Sequence, residues 1–125
     1  MSPGAPRVYE RASIVLVQLD PIRGSEQGKV RPCVIVSDAA TVRKSRAKLL
    51  YTIVPLTSST TLVGPLAPQL KARAGGSTAD GVALVMHVRT VDPVRIVGYV
   101  GKLNADEMRP LQRGLGVLFG LEVAP

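Results

Sequence analysis

Aromatic side chains are scarce in this chain of 125 residues, which has no tryptophan, one phenylalanine and three tyrosines. A chain of this length suits one domain with a core of its own, and that core must be filled by valine, leucine, isoleucine and alanine. The same scarcity argues against an RNA-binding sheet on which bases stack on aromatic rings, as in the RRM and OB folds.

Cysteine and histidine each occur once, as Cys33 and His87. A single cysteine excludes a disulfide within the chain, and the apolar residues around Cys33 predict a small buried thiol rather than a nucleophile. A single histidine excludes a pair of histidines that act as acid and base within one chain. One histidine, one cysteine and scattered acids also lack the spacing of metal ligands, so we expect neither a metal nor another cofactor.

Long apolar runs are absent as well. No segment approaches the ~18 apolar residues of a membrane span, and the opening MSPGAPRVYERAS has no apolar stretch of the signal-peptide type. We therefore expect a cytoplasmic protein.

Acidic residues are outnumbered by basic ones, 9 against 16, which leaves a formal net charge of +7. A small domain this basic usually meets a polyanion, and nucleic acid is the first candidate. A membrane surface is the rival, although no basic amphipathic helix is visible, and some basic domains are merely soluble.

Apolar, β-branched segments predict several short strands. They cover residues 14–19, 31–37 and 49–56, a weak edge strand at 65–71, and two further strands at 82–88 and 95–103. From Asn104 the pattern changes to a helix with a capping signal at Glu107, although Pro110 should kink it. Strands that close on themselves before one helix predict a mainly β fold, a small barrel with a C-terminal helix. We expect a single domain over residues 1–125, with 1–10 as a flexible tail.

The segment GSEQGKVRPCVIVS, residues 24–37, changes from a polar loop to an apolar strand at Arg31. The guanidinium of Arg31 is a rigid fork of donors that can hold two phosphate oxygens, and Pro32 limits how the backbone behind it can move. If the second and third strands pair antiparallel, the start of one lies beside the end of the other, which places Arg31 near Thr57.

Further candidate residues flank Arg31 and Thr57 in the sequence, and one, His87, lies further along the chain. The candidate substrate-binding residues are Ser25, Gln27, Gly28, Lys29, Ser58, Ser59 and His87. The candidate residues also have ordinary explanations. An arginine at a strand start, such as Arg31, is usually solvated, and a Thr/Ser cluster after a strand is usually a turn. A glutamate in a loop is usually only hydrated, and a histidine in an apolar strand is more often a core residue than a base.

The motifs together resemble a known family. The order of strand, Asp-Pro, GSEQG, Arg-Pro and strand in SIVLVQLDPIRGSEQGKVRPCVIVS is similar to the N-terminal signature of MazF/PemK toxins. The segments IVPLTS, RTVDPVRIVGYVGKLNADEM and LGVLFGL resemble later parts of the same family, so that the resemblance spans about residues 12–121.

This resemblance implies an SH3-like, CcdB-type barrel, a homodimer and metal-independent cleavage of single-stranded RNA at specific sequences. In such toxins the 2′-hydroxyl attacks the adjacent phosphate, which leaves a 2′,3′-cyclic phosphate and a 5′-hydroxyl. Motif by motif, the resemblance implies catalytic roles for Arg31 and Thr57, and substrate-lining positions for Glu26, Gln27 and Ser58. We expect Glu26 to accept the proton of the 2′-hydroxyl. A MazE-like antitoxin with an acidic, flexible segment is the implied partner.

The chain also departs from the family pattern. Ala12-Ser13 stand where Gly-Asp is usual, and Met86-His87 stand where many members have Asp-Gln, so the cut sequence cannot be transferred. Two other functions stay open: a gyrase-binding toxin of the CcdB kind, whose C-terminal tryptophan is missing here, and an inactive relative that only binds RNA.

Overall fold

The computed structural model describes residues 8–19, 29–59, 61, 63–71, 73–77 and 80–121. In this part of the chain the strands are β1 (Ser13–Gln18), β2 (Val30–Ile35), β3 (Tyr51–Thr57), β4 (Gln69–Leu70), β5 (Gly81–Ala83), β6 (Arg89–Val91) and β7 (Ile96–Lys102). The α-helices are α1 (Ala39–Lys44) and α2 (Ala105–Leu118). Three short 3-10 turns lie at Ala74–Gly76, Val85–His87 and Pro93–Arg95.

The strands form one antiparallel sheet in the order β4-β5-β3-β2-β1-β7. Strands β5 and β6 both pair with β3, β5 near its end and β6 near its start. The predicted mainly β fold with a C-terminal helix is confirmed. The strands predicted at 14–19, 31–37, 49–56 and 95–103 are present with shifts of one or two residues, and the weak edge strand shrinks to Gln69–Leu70.

Strands β1, β2 and β3 bury side chains on both faces of the sheet, since successive side chains of a strand point to opposite faces and both sets are apolar. One cluster packs Ile14, Val34 and Val54 against Met108 and Leu111 of α2. A second cluster collects the alternate residues of the same strands, with Tyr51 as its largest member; the others include Val15, Val17, Cys33, Ile35 and Ile53. The core is aliphatic, as the composition requires.

The strand predicted at 82–88 is wrong beyond Ala83, where the chain enters the Val85–His87 turn. Pro55 supplies the physical reason, since its carbonyl accepts from the backbone N–H of Leu84 but its own nitrogen has no proton to return. The ladder with β3 stops there and resumes as β6, a strand that the sequence analysis missed.

Helix α2 begins with the predicted capping box, in which the Asn104 side chain accepts from the backbone N–H of Glu107 and the Glu107 side chain accepts from that of Asn104. The helix continues as one element of 14 residues through Pro110. Its Gly114 faces the neighbouring loop so closely that a Cβ would lie 2.8 Å from the Pro65 carbonyl oxygen. The glycine that weakens the helix in isolation therefore allows it to pack.

Candidate functional site

Arg31 and Thr57 lie on neighbouring strands, at the same end of the sheet. Strand β2 pairs with β3 antiparallel, with Cys33 opposite Pro55 and Ile35 opposite Ile53. Continued for two residues beyond Cys33 and Pro55, this register places Arg31 beside Thr57. Residues directly opposite each other in such a pair point to the same face, so the two side chains project together.

The two side chains line one cavity of about 560 Å³. Its wall also includes Pro32, Leu56 and Ser58 from the same strand ends. The other described residues of the wall are Ile14, Gly76, Ser77, Asp80, Gly81 and Val100. A cation and several hydroxyl groups therefore share one opening with an apolar floor.

The guanidinium of Arg31 has no described carboxylate within ion-pair distance. Its backbone is held in place, because the carbonyl of Arg31 accepts a hydrogen bond of 3.6 Å from the Cys33 thiol. Burial raises the pKa of that thiol to about 12, against the opposing charges of Arg31 and Arg89. Cys33 thus stays protonated and acts as a small buried residue, as predicted.

Thr57 is the last residue of β3, and its hydroxyl accepts a hydrogen bond of 3.4 Å from the backbone N–H of Ser59. A hydroxyl that accepts in this way keeps its own proton for a second partner. Half-buried at the cavity wall, Thr57 can therefore donate to a bound oxygen.

The other predicted site residues are distributed unevenly. Ser25, Glu26, Gln27 and Gly28 lie outside the described residues. Ser58 lines the cavity with Thr57. Lys29 is exposed, and the Ser59 side chain is hydrogen-bonded to that of Thr61. Neither Lys29 nor Ser59 is part of the cavity wall.

His87 lies apart from these groups. It is exposed in the Val85–His87 turn rather than buried in a strand, and it lines a separate groove of about 500 Å³. The other walls of that groove are mostly apolar and include Pro65, Leu66, Met86 and Val117. The structure thus does not bring His87 to the cavity of Arg31 and Thr57.

The sequence analysis missed the residues that the segment after β4 adds to the cavity, namely Gly76, Ser77, Asp80 and Gly81. This segment reads as an exposed loop because it is rich in glycine and small polar residues. Only the pairing of β5 with β3, in which Val82 is opposite Thr57, brings it to the site. No local pattern in the sequence indicates that pairing.

Within the described ranges, no group of three or more His, Cys, Asp or Glu side chains is arranged to hold a metal ion. None of the helices that the structure describes has both the length and the apolar character needed to cross a membrane.

Comparison with known proteins places this geometry in context. Residues 10–119 match the family described as PemK-like, MazF-like toxin of type II toxin-antitoxin system. The chain is 35% identical to Endoribonuclease MazF9 of Mycobacterium tuberculosis over 110 residues, which are 86% of this chain and 93% of that protein. It also resembles the solved MazF of Deinococcus radiodurans, with 30% identity, a TM-score of 0.69 and coverage of 91% and 98%. A MazE-MazF structure from the same organism matches with 29% identity, a TM-score of 0.73 and coverage of 93% and 99%.

Proposed function

Because this chain belongs to the PemK-like, MazF-like toxins of type II toxin–antitoxin systems, we propose that it cleaves single-stranded messenger RNA at specific sequences without a metal ion. The proposed chemistry is attack of a 2′-hydroxyl on the adjacent phosphate, which gives a 2′,3′-cyclic phosphate and a 5′-hydroxyl. The observation that carries the proposal is the convergence of Arg31 and Thr57 on one cavity.

The proposed reaction places an additional negative charge on the phosphate as the 2′-oxygen attacks. Arg31 acts as a charge clamp on the non-bridging oxygens, because a guanidinium holds its protons too firmly to be a good acid at neutral pH. The Thr57 hydroxyl donates to the same phosphate or orients the nucleophile. Donors held in place before the reaction stabilise such charge most effectively, and the strand ends hold both residues.

The attacking 2′-hydroxyl must lose a proton, and we assign its acceptance to Glu26. Ser25, Gln27, Gly28, Lys29, Ser58 and Ser59 are proposed to bind the RNA around the scissile phosphate, and His87 to contact it further away. For Glu26, Gln27 and Ser58 these assignments rest on the family resemblance, together with the position of Ser58 in the cavity wall. For the other residues they rest on their polar groups and their places in the sequence.

We also propose that the toxin works in the cytoplasm as a homodimer and that a MazE-like antitoxin holds it inactive. The similar MazE-MazF structure from Deinococcus radiodurans supports the antitoxin as a partner. The formal charge of +7 supports an antitoxin segment that is acidic and competes with RNA for the same surface.

The cleavage itself is tested by incubating the purified protein with mixed RNA in excess EDTA. We expect cutting to continue, with fragments that end in 2′,3′-cyclic phosphate and begin with 5′-hydroxyl, as read by end-specific ligation. A DNA oligonucleotide of the cut sequence is the control and should stay intact, because it lacks the 2′-hydroxyl. RNA that is retarded on a gel but stays intact would instead indicate a binding protein without activity.

RNA affinity should depend steeply on salt, because a basic surface that contacts phosphates releases counterions. For about four phosphate contacts, the Kd for an uncleavable 2′-O-methyl RNA should rise about 50-fold between 50 and 200 mM salt. Fluorescence anisotropy measures this, with an uncharged morpholino of the same sequence as the control. An RNA affinity that does not change with salt would contradict the proposed basic groove.

A further inference from the structure

Asp80 is the acidic residue among the described residues of the cavity wall. It directly precedes β5, whose Val82 is opposite Thr57. Gly81 follows it and allows close contact with β3, since a Cβ there would lie 3.2 Å from the Thr57 carbonyl oxygen. Asp80 is therefore placed at the cavity by strand pairing on one side of Thr57.

Arg31 is placed on the other side of Thr57. The strands run in the order β5-β3-β2, so the cavity wall carries Asp80, Thr57 and Arg31 in sequence across three strand ends. Neighbouring strands are roughly 4.8 Å apart, so the backbones that carry Asp80 and Arg31 are separated by roughly 10 Å. A phosphate held by Arg31 thus leaves Asp80 beside another part of the RNA.

An ionised carboxylate repels phosphates, and it accepts hydrogen bonds but donates none. Its natural partners on RNA are the N–H groups of bases, which single-stranded RNA exposes on its Watson–Crick edges. From this arrangement we infer that Asp80 reads one base next to the scissile phosphate and selects guanine. This inference rests on the proposed function.

Guanine fits best because its N1–H and N2 amino groups are adjacent donors that meet both oxygens of one carboxylate. Uracil offers a single N–H between two carbonyl oxygens, which the carboxylate repels. Adenine and cytosine each offer one amino group beside an acceptor nitrogen. A good bidentate contact discriminates between bases by about 1–3 kcal/mol, which is roughly 5- to 150-fold.

The test sequences the 5′ ends of fragments cut from mixed RNA by the wild-type protein and by Asp80→Asn. We expect guanine at one fixed position beside the wild-type cuts, and a loss of that preference of about tenfold or more in the variant. The asparagine amide pairs a donor and an acceptor with the edge of adenine, so adenine should gain at the same position. Asp106→Asn is the matched control, because Asp106 is exposed on α2 outside this cavity and should leave the cut sites unchanged.

Binding separates this inference from the proposed cleavage. The test compares an uncleavable 2′-O-methyl hexamer that has guanine at that position with the same hexamer carrying inosine, which lacks the N2 amino group. If no RNA is cut, guanine is placed at each position in turn. The wild-type protein should bind the guanine hexamer about tenfold more tightly, and Asp80→Asn should bind both alike. This result with intact RNA would reject the proposed cleavage but keep the base readout.

Three results would overturn the readout: an unchanged set of cut sites in Asp80→Asn, wild-type cuts without a guanine at any fixed position, or equal wild-type affinity for guanine and inosine. If the first of these results came with a uniform loss of rate, Asp80 would be a proton acceptor instead.

Discussion

Replacing Arg31 with alanine should lower the rate of RNA cleavage by about 10²–10³-fold, because one preorganised donor to a developing oxyanion is typically worth that much. The fold should survive the change. Arg31 is only half-buried at the start of β2, and its guanidinium has no ion pair with a described carboxylate to lose. We expect the free energy of unfolding to change by less than about 0.5 kcal/mol.

Single-turnover cleavage of a fluorogenic RNA and urea unfolding measure the two effects of Arg31→Ala. Arg43→Ala is the matched control, since Arg43 is exposed on α1 and removes an equal charge. Arg31→Lys keeps the charge but loses the two-pronged geometry and should fall between alanine and the wild type. A near wild-type rate of cleavage by Arg31→Ala would contradict the proposed role of Arg31 as a charge clamp.

Replacing Gly101 with alanine should destabilise the fold by about 3 kcal/mol, the upper part of the range for overpacking a core. A Cβ at Gly101 would lie 2.0 Å from the carbonyl oxygen of Gly75 in the Ala74–Gly76 turn. The turn has little room to move inward, because even a Cβ on Gly75 would lie 2.7 Å from Ile14 Cδ1 and 3.0 Å from Leu103 Cδ2. Either β7 or the turn must therefore shift.

Urea unfolding followed by circular dichroism measures this loss of stability. Gly64→Ala is the control, since a Cβ there meets nothing within 4 Å. Because Gly76 and Ser77 continue from the same turn into the cavity wall, the folded fraction of Gly101→Ala should also cleave RNA more slowly. Equal unfolding midpoints for the two alanine variants would show that the turn adapts and would contradict this account.

The part of the candidate site that Arg31 and Thr57 form was predictable from the sequence, because it depends on one pair of strands. The change from loop to strand before Arg31 and the hydroxyl run after Leu56 mark two strand ends, and antiparallel pairing brings such ends together. The prediction of Arg31 near Thr57 needed no knowledge of the other strands. The predicted role of Glu26 falls on residues that the structure does not describe, so it stays a prediction.

The strand predicted around His87 is wrong for a reason that its own segment does not contain. An apolar run from 82 to 88 favours a continuous strand, and the residue that interrupts its pairing is Pro55, on a different strand. The interruption turns the chain outward and exposes His87 in another groove.

The sequence by itself determined four of the strand segments, the capped start of α2, the aliphatic core and the neighbouring positions of Arg31 and Thr57. All of these follow from interactions between near neighbours or from the alternation of side chains along a strand. Tertiary structure alone decided that Asp80 joins the cavity, that His87 leaves it, and that Gly101 must lack a side chain. Those outcomes depend on contacts between segments far apart in the chain, whose register is set by the packing of the whole sheet.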